Sequence, residues 1–428
     1  MTFHPHRTLS LAVTALCAAL LSACAVSPPP PAPSAPPPQP EAASGSTAKP
    51  GWATRRYAVA AANPLATDAG RQVLAAGGSA VDAAIAVQMV LSLVEPQSSG
   101  IGGGAFLLHF NGTTTQAFDG RETAPAAATP ALFLDASGQA MKFADAVVGG
   151  RSVGVPGAVA MLAQAHALHG KLPWAQLFQP AINLANQGFA ISPRMAALLA
   201  ADPHLKKDPV AAAYFYDAAG KPWPAGHVLR NPELAAVLQG IATRGPSALL
   251  RGEVGEAIAR KVQGHPTNPG SLSTRDLATY RPLVREPLCF DYDTAPRPVR
   301  ICGMPPPSSG AIAIGQILRM LDHTPARSLP LVQGQPGADW LHLYTEASRL
   351  AFADRGQYLG DPAFVQAPAG NWASLLAPGY LRSRAAQIDS SPTGQSIQFA
   401  LPGQPGGTPL MPQLHLDRPM HHLIWLRR

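Results

Sequence analysis

The amino-acid sequence predicts a fold of the α+β class, and three local patterns carry that expectation. Ala80–Val94 is apolar almost all round, with Ser79 as an N-cap in front and Pro96 behind, which reads as a buried helix. Ala105–Phe110 and Thr114–Asp119 flank Asn111-Gly112, a strong short-range signal for a β-hairpin. Pro287–Tyr292 and Val299–Met304 form a second pair of strand-like segments around a turn with Pro296 and Pro298, and a buried helix over Ala311–Leu321 follows.

Composition is consistent with a folded body. The chain has 428 residues, 46% hydrophobic and 13% charged, against about a quarter charged in an ordinary soluble chain. Such a chain can bury a large core or several, and it is not a highly charged disordered protein. The net charge of +7 comes from scattered Lys and Arg. A nucleic-acid binder gathers them into patches or stripes, so no nucleic-acid partner is expected.

Along the chain, residues 1–24 read as a signal peptide. His4, His6 and Arg7 precede an apolar run from Leu9 to Leu21 that is short for a membrane span, and small residues end it. Leu21-Ser22-Ala23-Cys24 fits a bacterial lipobox, which predicts lipidation of Cys24; an ordinary signal that loses Cys24 is the alternative reading. Nine prolines between Pro28 and Pro40 then make residues 25–51 an extended, disordered tether. The expected location is the periplasm, lipid-anchored to a bacterial membrane.

The folded body starts near Trp52. Tyr57–Ala62 reads as a buried strand, and Thr67–Ala76 as a helix stopped by Gly77-Gly78. Gly100-x-Gly102-x-x-Ala105 formally fits a dinucleotide-binding pattern, but that motif needs a strand before it and a helix after it. Here the order is reversed, so the glycines are expected to serve tight backbone packing or to present N–H groups toward an active site. Cys289 and Cys302 sit on the second strand pair, and both a disulfide and two buried thiols fit the sequence. No metal-ligand spacing appears, and Ser308-Ser309 lacks a nucleophile-elbow context. Glu346, Arg349, Asp354 and Arg355 read as charges on one helix face, forming solvated or packing ion pairs.

Several motifs share one order. Asn63-Pro64-Leu65-Ala66-Thr67, Gly77-Gly78-Ser79-Ala80-Val81-Asp82-Ala83-Ala84, Glu95-Pro96-Gln97 with Gly100-Ile101-Gly102-Gly103-Gly104, and Asp119-Gly120-Arg121-Glu122-Thr123-Ala124-Pro125 come first. Gly154-Val155-Pro156-Gly157, Leu272-Ser273-Thr274-Arg275-Asp276-Leu277 with Tyr280, Met304–Gly310, and Ala353-Asp354-Arg355 with Tyr358–Pro362 follow. Together, over about Ala58 to Ile388, they closely resemble the large-subunit portion of the γ-glutamyltransferases (γ-glutamyltranspeptidases).

That resemblance implies an N-terminal-nucleophile (Ntn) hydrolase with a four-layer αββα sandwich. The family's proenzymes cut themselves into a large and a small chain, and a Thr heads the small one. Its own freed α-amine is the base that activates a hydroxyl otherwise poorly nucleophilic at neutral pH. Attack on a γ-glutamyl amide such as glutathione gives an acyl-enzyme, which water or an amine acceptor resolves. No cofactor is implied. Arg121 matches the family's arginine for the donor α-carboxylate; a structural ion pair with Glu122 or a neighbouring carboxylate is the bland alternative.

The C-terminal region departs from the family. Residues 52–390 correspond to the large-subunit region, and residues 391–428 read as a linker and an aberrant tail. Met411–Arg428 does not resemble the Thr-led start of a small subunit, and Thr408 is a poor candidate for the nucleophile. The expectation is a chain truncated or frameshifted before its nucleophile, with an incomplete sandwich, no self-cleavage and no activity without a small-subunit chain. Two other readings remain: a non-catalytic lipoprotein binding γ-glutamyl or amino-acid ligands, and a fragment of a related β-lactam side-chain acylase.

Overall fold

The computed structural model describes residues 53–294, 297–391 and 394–407. Helix α1 (Pro64–Ala75) begins earlier than the apolar pattern predicts, because the Asn63 side chain accepts from the Leu65 N–H and Pro64 occupies the first turn. Gly77, at φ 89°, ends it. Helix α2 (Ala80–Val94) has the predicted limits. Ser79 and Asp82 form a capping box, and Asp82 Oδ2 also accepts from the backbone N–H groups of Lys171 and Leu172.

Strands β1 (Ala105–Phe110) and β2 (Thr115–Gly120) make the predicted hairpin, with Leu107 opposite Phe118. Helix α3 (Ala158–His169) packs against β2. The longer helices that follow are α4 (Gln179–Gln187), α5 (Pro193–Ala201), α6 (Pro232–Arg244) and α7 (Gly252–Gln263). The short α8 (Thr274–Thr279) leads into β3 (Leu283–Arg285), which pairs antiparallel with β2 and places Arg285 opposite Ala117. The large core is centred on α2, where Ile85, Met89 and Val90 are fully buried, and it takes in Phe118 from the sheet.

Strands β4 (Leu288–Tyr292) and β5 (Val299–Gly303) put Cys289 directly opposite Cys302, and a disulfide joins them. Helix α9 (Gly310–Leu321), the long α10 (Ala338–Tyr358) and α11 (Pro378–Ala385) complete the chain's main elements, and they build a second core around Leu343, Leu350 and Leu381.

Three expectations change or narrow. Tyr57–Ala62 is not a strand: most of it is exposed, and among the described residues no strand pairs with it, so its backbone has no ladder to join. Glu346 and Asp354 narrow the expected solvated or packing ion pairs to the packing kind: both are almost wholly buried, Asp354 beside an equally buried Arg384 on α11 at 3.1 Å. The mixed α/β character is present, but the sheets are small for a four-layer sandwich, one of three strands and three of two among the described residues. The three-stranded sheet meets the core on one face only. On its other face Leu108, Phe110 and Leu283 are 43%, 63% and 50% exposed beside the Asp119–Arg285 pair, and among the described residues no second sheet lies against them.

The stretch read as a linker is fastened over part of its length. Glu346 Oε2 accepts from the Ile397 N–H at 2.7 Å, and Asp354 Oδ1 from the Gly403 N–H at 2.9 Å. The tail Met411–Arg428, Thr408, Pro296 and Cys24 lie outside the described residues.

Candidate functional site

Arg121 follows directly on the last residue of β2, and its backbone is held from both sides. Its N–H donates to Asp119 Oδ1 at 2.9 Å, and its carbonyl accepts from the Tyr280 hydroxyl at 2.8 Å. Asp119 is buried, and its second oxygen meets Arg285 Nε at 2.6 Å. The pair is diagonal across β2 and β3, on one face of the sheet.

Tyr280 stands at the end of α8, which Ser273 and Asp276 cap reciprocally. Asp276 also accepts from the Ala126 N–H at 3.0 Å, tying α8 to the chain beyond Arg121. Burial, then the negative charges of Asp119 and Glu122, push the Tyr280 phenol well above its ordinary range. It therefore stays protonated and remains a donor.

The glycine loop 100–104 lies beside this strand end. Gly104 N–H donates to Glu122 Oε1 at 2.6 Å, while the Gly103 carbonyl accepts from the N–H groups of Gly157 and Ala158 at 3.1 and 3.0 Å. A Cβ on Gly104 would sit 2.6 Å from Glu122 Oε2 and 2.8 Å from the Glu122 backbone nitrogen, so only glycine permits this approach. Of the two uses foreseen for the glycines, tight backbone packing is present, and the Gly104 N–H is taken by the chain's own Glu122 carboxylate. Between Gln88, Ser98, Ser99, Gly104 and Glu122 lies an open polar cavity of about 310 Å³.

Behind the loop, the buried Glu95 accepts from Asn63 at 2.9 Å and pairs with Arg194 at 3.0 Å, joining the cap of α1 to the start of α5. Val155 N–H reaches the Thr123 carbonyl at 2.9 Å. Motifs far apart in sequence, at residues 95–104, 119–125, 154–157 and 272–280, therefore meet around Arg121, and the motif at 63–67 is tied to them through Glu95. The motifs at 304–310 and 353–362 meet each other instead, where Arg355 Nε donates to Ser309 Oγ at 3.1 Å.

Sequence reasoning singled out Arg121, quoted Asp119 and Tyr280 only as members of motifs, and left out Arg285. Ser273-x-x-Asp276 is a readable capping box, whereas the pairing of Asp119 with Arg285, 166 positions apart, leaves no local trace. Among the described residues no three His, Cys, Asp or Glu side chains gather as a metal site.

A family model of gamma-glutamyltranspeptidase matches residues 66–409. The glutathione hydrolase proenzyme of Bacillus subtilis (strain 168) is 37% identical over 328 residues, which cover 76% of this chain and 53% of that protein. The acylase ACY 1 proenzyme of Pseudomonas sp. (strain SE83) is also 37% identical, over 334 residues, covering 76% of this chain and 57% of that protein. The crystal structure of Helicobacter pylori gamma-glutamyltranspeptidase superimposes with a TM-score of 0.73 at 31% identity, covering 86% of this chain and 99% of that chain. The chain spans about half the length of the curated relatives it matches.

Proposed function

Because the chain belongs to the gamma-glutamyltranspeptidase family, we propose that it forms the donor-carboxylate side of an acyl-transfer site that cleaves γ-glutamyl amides such as glutathione. One observation carries the reading: widely separated family motifs converge on the fixed backbone of Arg121, beside a polar cavity. A guanidinium at a strand end can take a carboxylate through two parallel N–H···O bonds, and an ammonium cannot reproduce that fork. The nucleophile in this reading is a Thr at the head of a small-subunit chain, whose own α-amine serves as base. Acyl transfer then goes to water or to an amine. A small-subunit sheet laid on the exposed face of Leu108, Phe110 and Leu283 would complete the four-layer αββα sandwich. Export and lipidation at Cys24 belong to the same proposal, and incorporation of radiolabelled palmitate that Cys24→Ser abolishes would support them.

Calorimetry on the full chain tests the Arg121 role. Arg121→Lys should weaken binding of glutathione about tenfold, the scale of a lost charge-assisted hydrogen bond. Binding of 4-aminobutanoyl-cysteinyl-glycine, which lacks the α-carboxylate, should stay unchanged. Equal effects on both ligands would reject the role.

The equal identity to an acylase supports a second reading, in which the amide cleaved carries a glutaryl-type β-lactam side chain. Preferential binding of a glutaryl amide over glutathione would favour it.

A further inference from the structure

We propose that Tyr280 is the positioning residue for Arg121, acting through the Arg121 carbonyl to hold the guanidinium where a donor carboxylate can meet it. This deepens the Arg121 reading and rests on it.

The geometry is that of a clamp with one replaceable half. On the N–H side of Arg121, the Asp119 carboxylate is buried and fixed by Arg285, so that half belongs to the sheet itself. On the carbonyl side the Tyr280 hydroxyl donates from 159 positions away, at the end of a different element. The peptide that carries this carbonyl also carries the Glu122 nitrogen, and the Glu122 side chain holds Gly104. Rotation of that one peptide would therefore shift Arg121, Glu122 and the glycine loop together.

The fold makes room for the phenol where no larger neighbour would fit. A Cβ on Gly157 would lie 2.0 Å from the Tyr280 hydroxyl and 2.3 Å from the Gly120 carbonyl, so glycine at 157 is a condition of the contact. The body of the ring belongs to the large core, which fixes its position independently of the hydroxyl. Removing only the oxygen should leave the ring in place and take this one bond from the Arg121 carbonyl. The effect should then fall on carboxylate recognition and not on the fold.

A double-mutant cycle on the full chain tests this, using wild type, Tyr280→Phe, Arg121→Lys and the double variant. Glutathione and 4-aminobutanoyl-cysteinyl-glycine are titrated by calorimetry, with thermal melts alongside. Tyr280→Phe should weaken glutathione about 3- to 10-fold, the range for one neutral hydrogen bond. It should leave the decarboxylated ligand unchanged and move Tm by no more than about 3 °C. The double variant should bind glutathione no more weakly than Arg121→Lys alone, because Tyr280 acts through Arg121.

Unchanged glutathione binding in Tyr280→Phe, equal loss for both ligands, or additive losses in the double variant would each overturn the positioning role while leaving the Arg121 reading intact. No glutathione binding by wild type, or none lost in Arg121→Lys, would overturn the Arg121 reading and this inference with it.

Discussion

Replacing Asp354 by Asn probes the heaviest buried electrostatic commitment in the chain. Asp354 is 1% exposed and Arg384 2%, with Nη2 of the arginine 3.1 Å from Oδ1. The same oxygen accepts from the Gly403 N–H at 2.9 Å, and Oδ2 accepts from Gln316 Nε2 at 2.9 Å and the Tyr380 hydroxyl at 2.6 Å. All of these partners are donors, so the amide nitrogen of Asn must face at least one of them in place of an acceptor. The variant also leaves a guanidinium in a dry site without its counter-charge, a situation that costs about 3–5 kcal/mol. An unfolding entropy of about 2.1 cal/mol/K per residue over roughly 350 ordered residues turns that cost into a drop in Tm of about 4–7 °C. Differential scanning calorimetry at pH 7 reads the drop, and hydrogen exchange should show faster exchange at Gly403 and along α11. Replacing both partners with apolar residues, Asp354→Leu with Arg384→Met, should recover much of the loss. A Tm within about 1 °C of wild type, with Gly403 still protected, would mean that the pair is solvated in solution and that the reasoning is wrong.

Two further outcomes follow from the second core and its strap. Replacing both Cys289 and Cys302 with Ser should lower stability by up to about 3 kcal/mol, the chain-entropy scale for a short closed loop, and reductant should shift the wild-type melt by the same amount; no shift in either case would show that the bridge does not form. Asp389, whose carboxylate accepts from the Gln395 and Ser391 N–H groups, has its pKa lowered to about 2 chiefly by those bonds. Since a depressed carboxylate stabilises the fold only while ionised, its contribution should be complete above about pH 4 and vanish as pH falls toward 2. Amide protection at Gln395 that does not change over that window, or that Asp389→Asn leaves intact at pH 7, would refute the assignment.

What was legible in the sequence was local. Ser79 with Asp82, Asn111-Gly112 and Gly77 act within a few residues of themselves, so the limits of α2 and the hairpin could be read directly. Tyr57–Ala62 has the composition of a strand, but a strand requires a neighbour that composition does not supply. The charges of α10 left two settings open for a related reason. Spacing on a helix says that Glu346, Arg349 and Asp354 can share a face, but only the arrival of α11 and residues 394–407 decides that the face is inside. Likewise Arg121 was visible through its motif, while Tyr280 and Arg285 became part of its setting only when α8 and β3 returned to β2.

The buried carboxylates show how much of the motif signal concerns folding. Asp82 takes the backbone N–H groups of Lys171 and Leu172, Glu95 takes Asn63 and Arg194, Asp119 takes the Arg121 N–H and Arg285, and Asp354 takes Gly403 and Arg384. Each belongs to a segment that carries the family resemblance, and each fastens one segment of chain to another in a low-dielectric interior where an unpaired charge is costly. Such residues define the scaffold and would persist in a relative with different chemistry. That fits the equal identity to a glutathione hydrolase proenzyme and to an acylase proenzyme. The distinction between those chemistries must therefore come from residues that face a cavity. In this chain the open polar cavity is lined by the glycine loop and by Glu122, next in sequence to Arg121, and it is there that substitution should change which ligand binds without changing whether the chain folds.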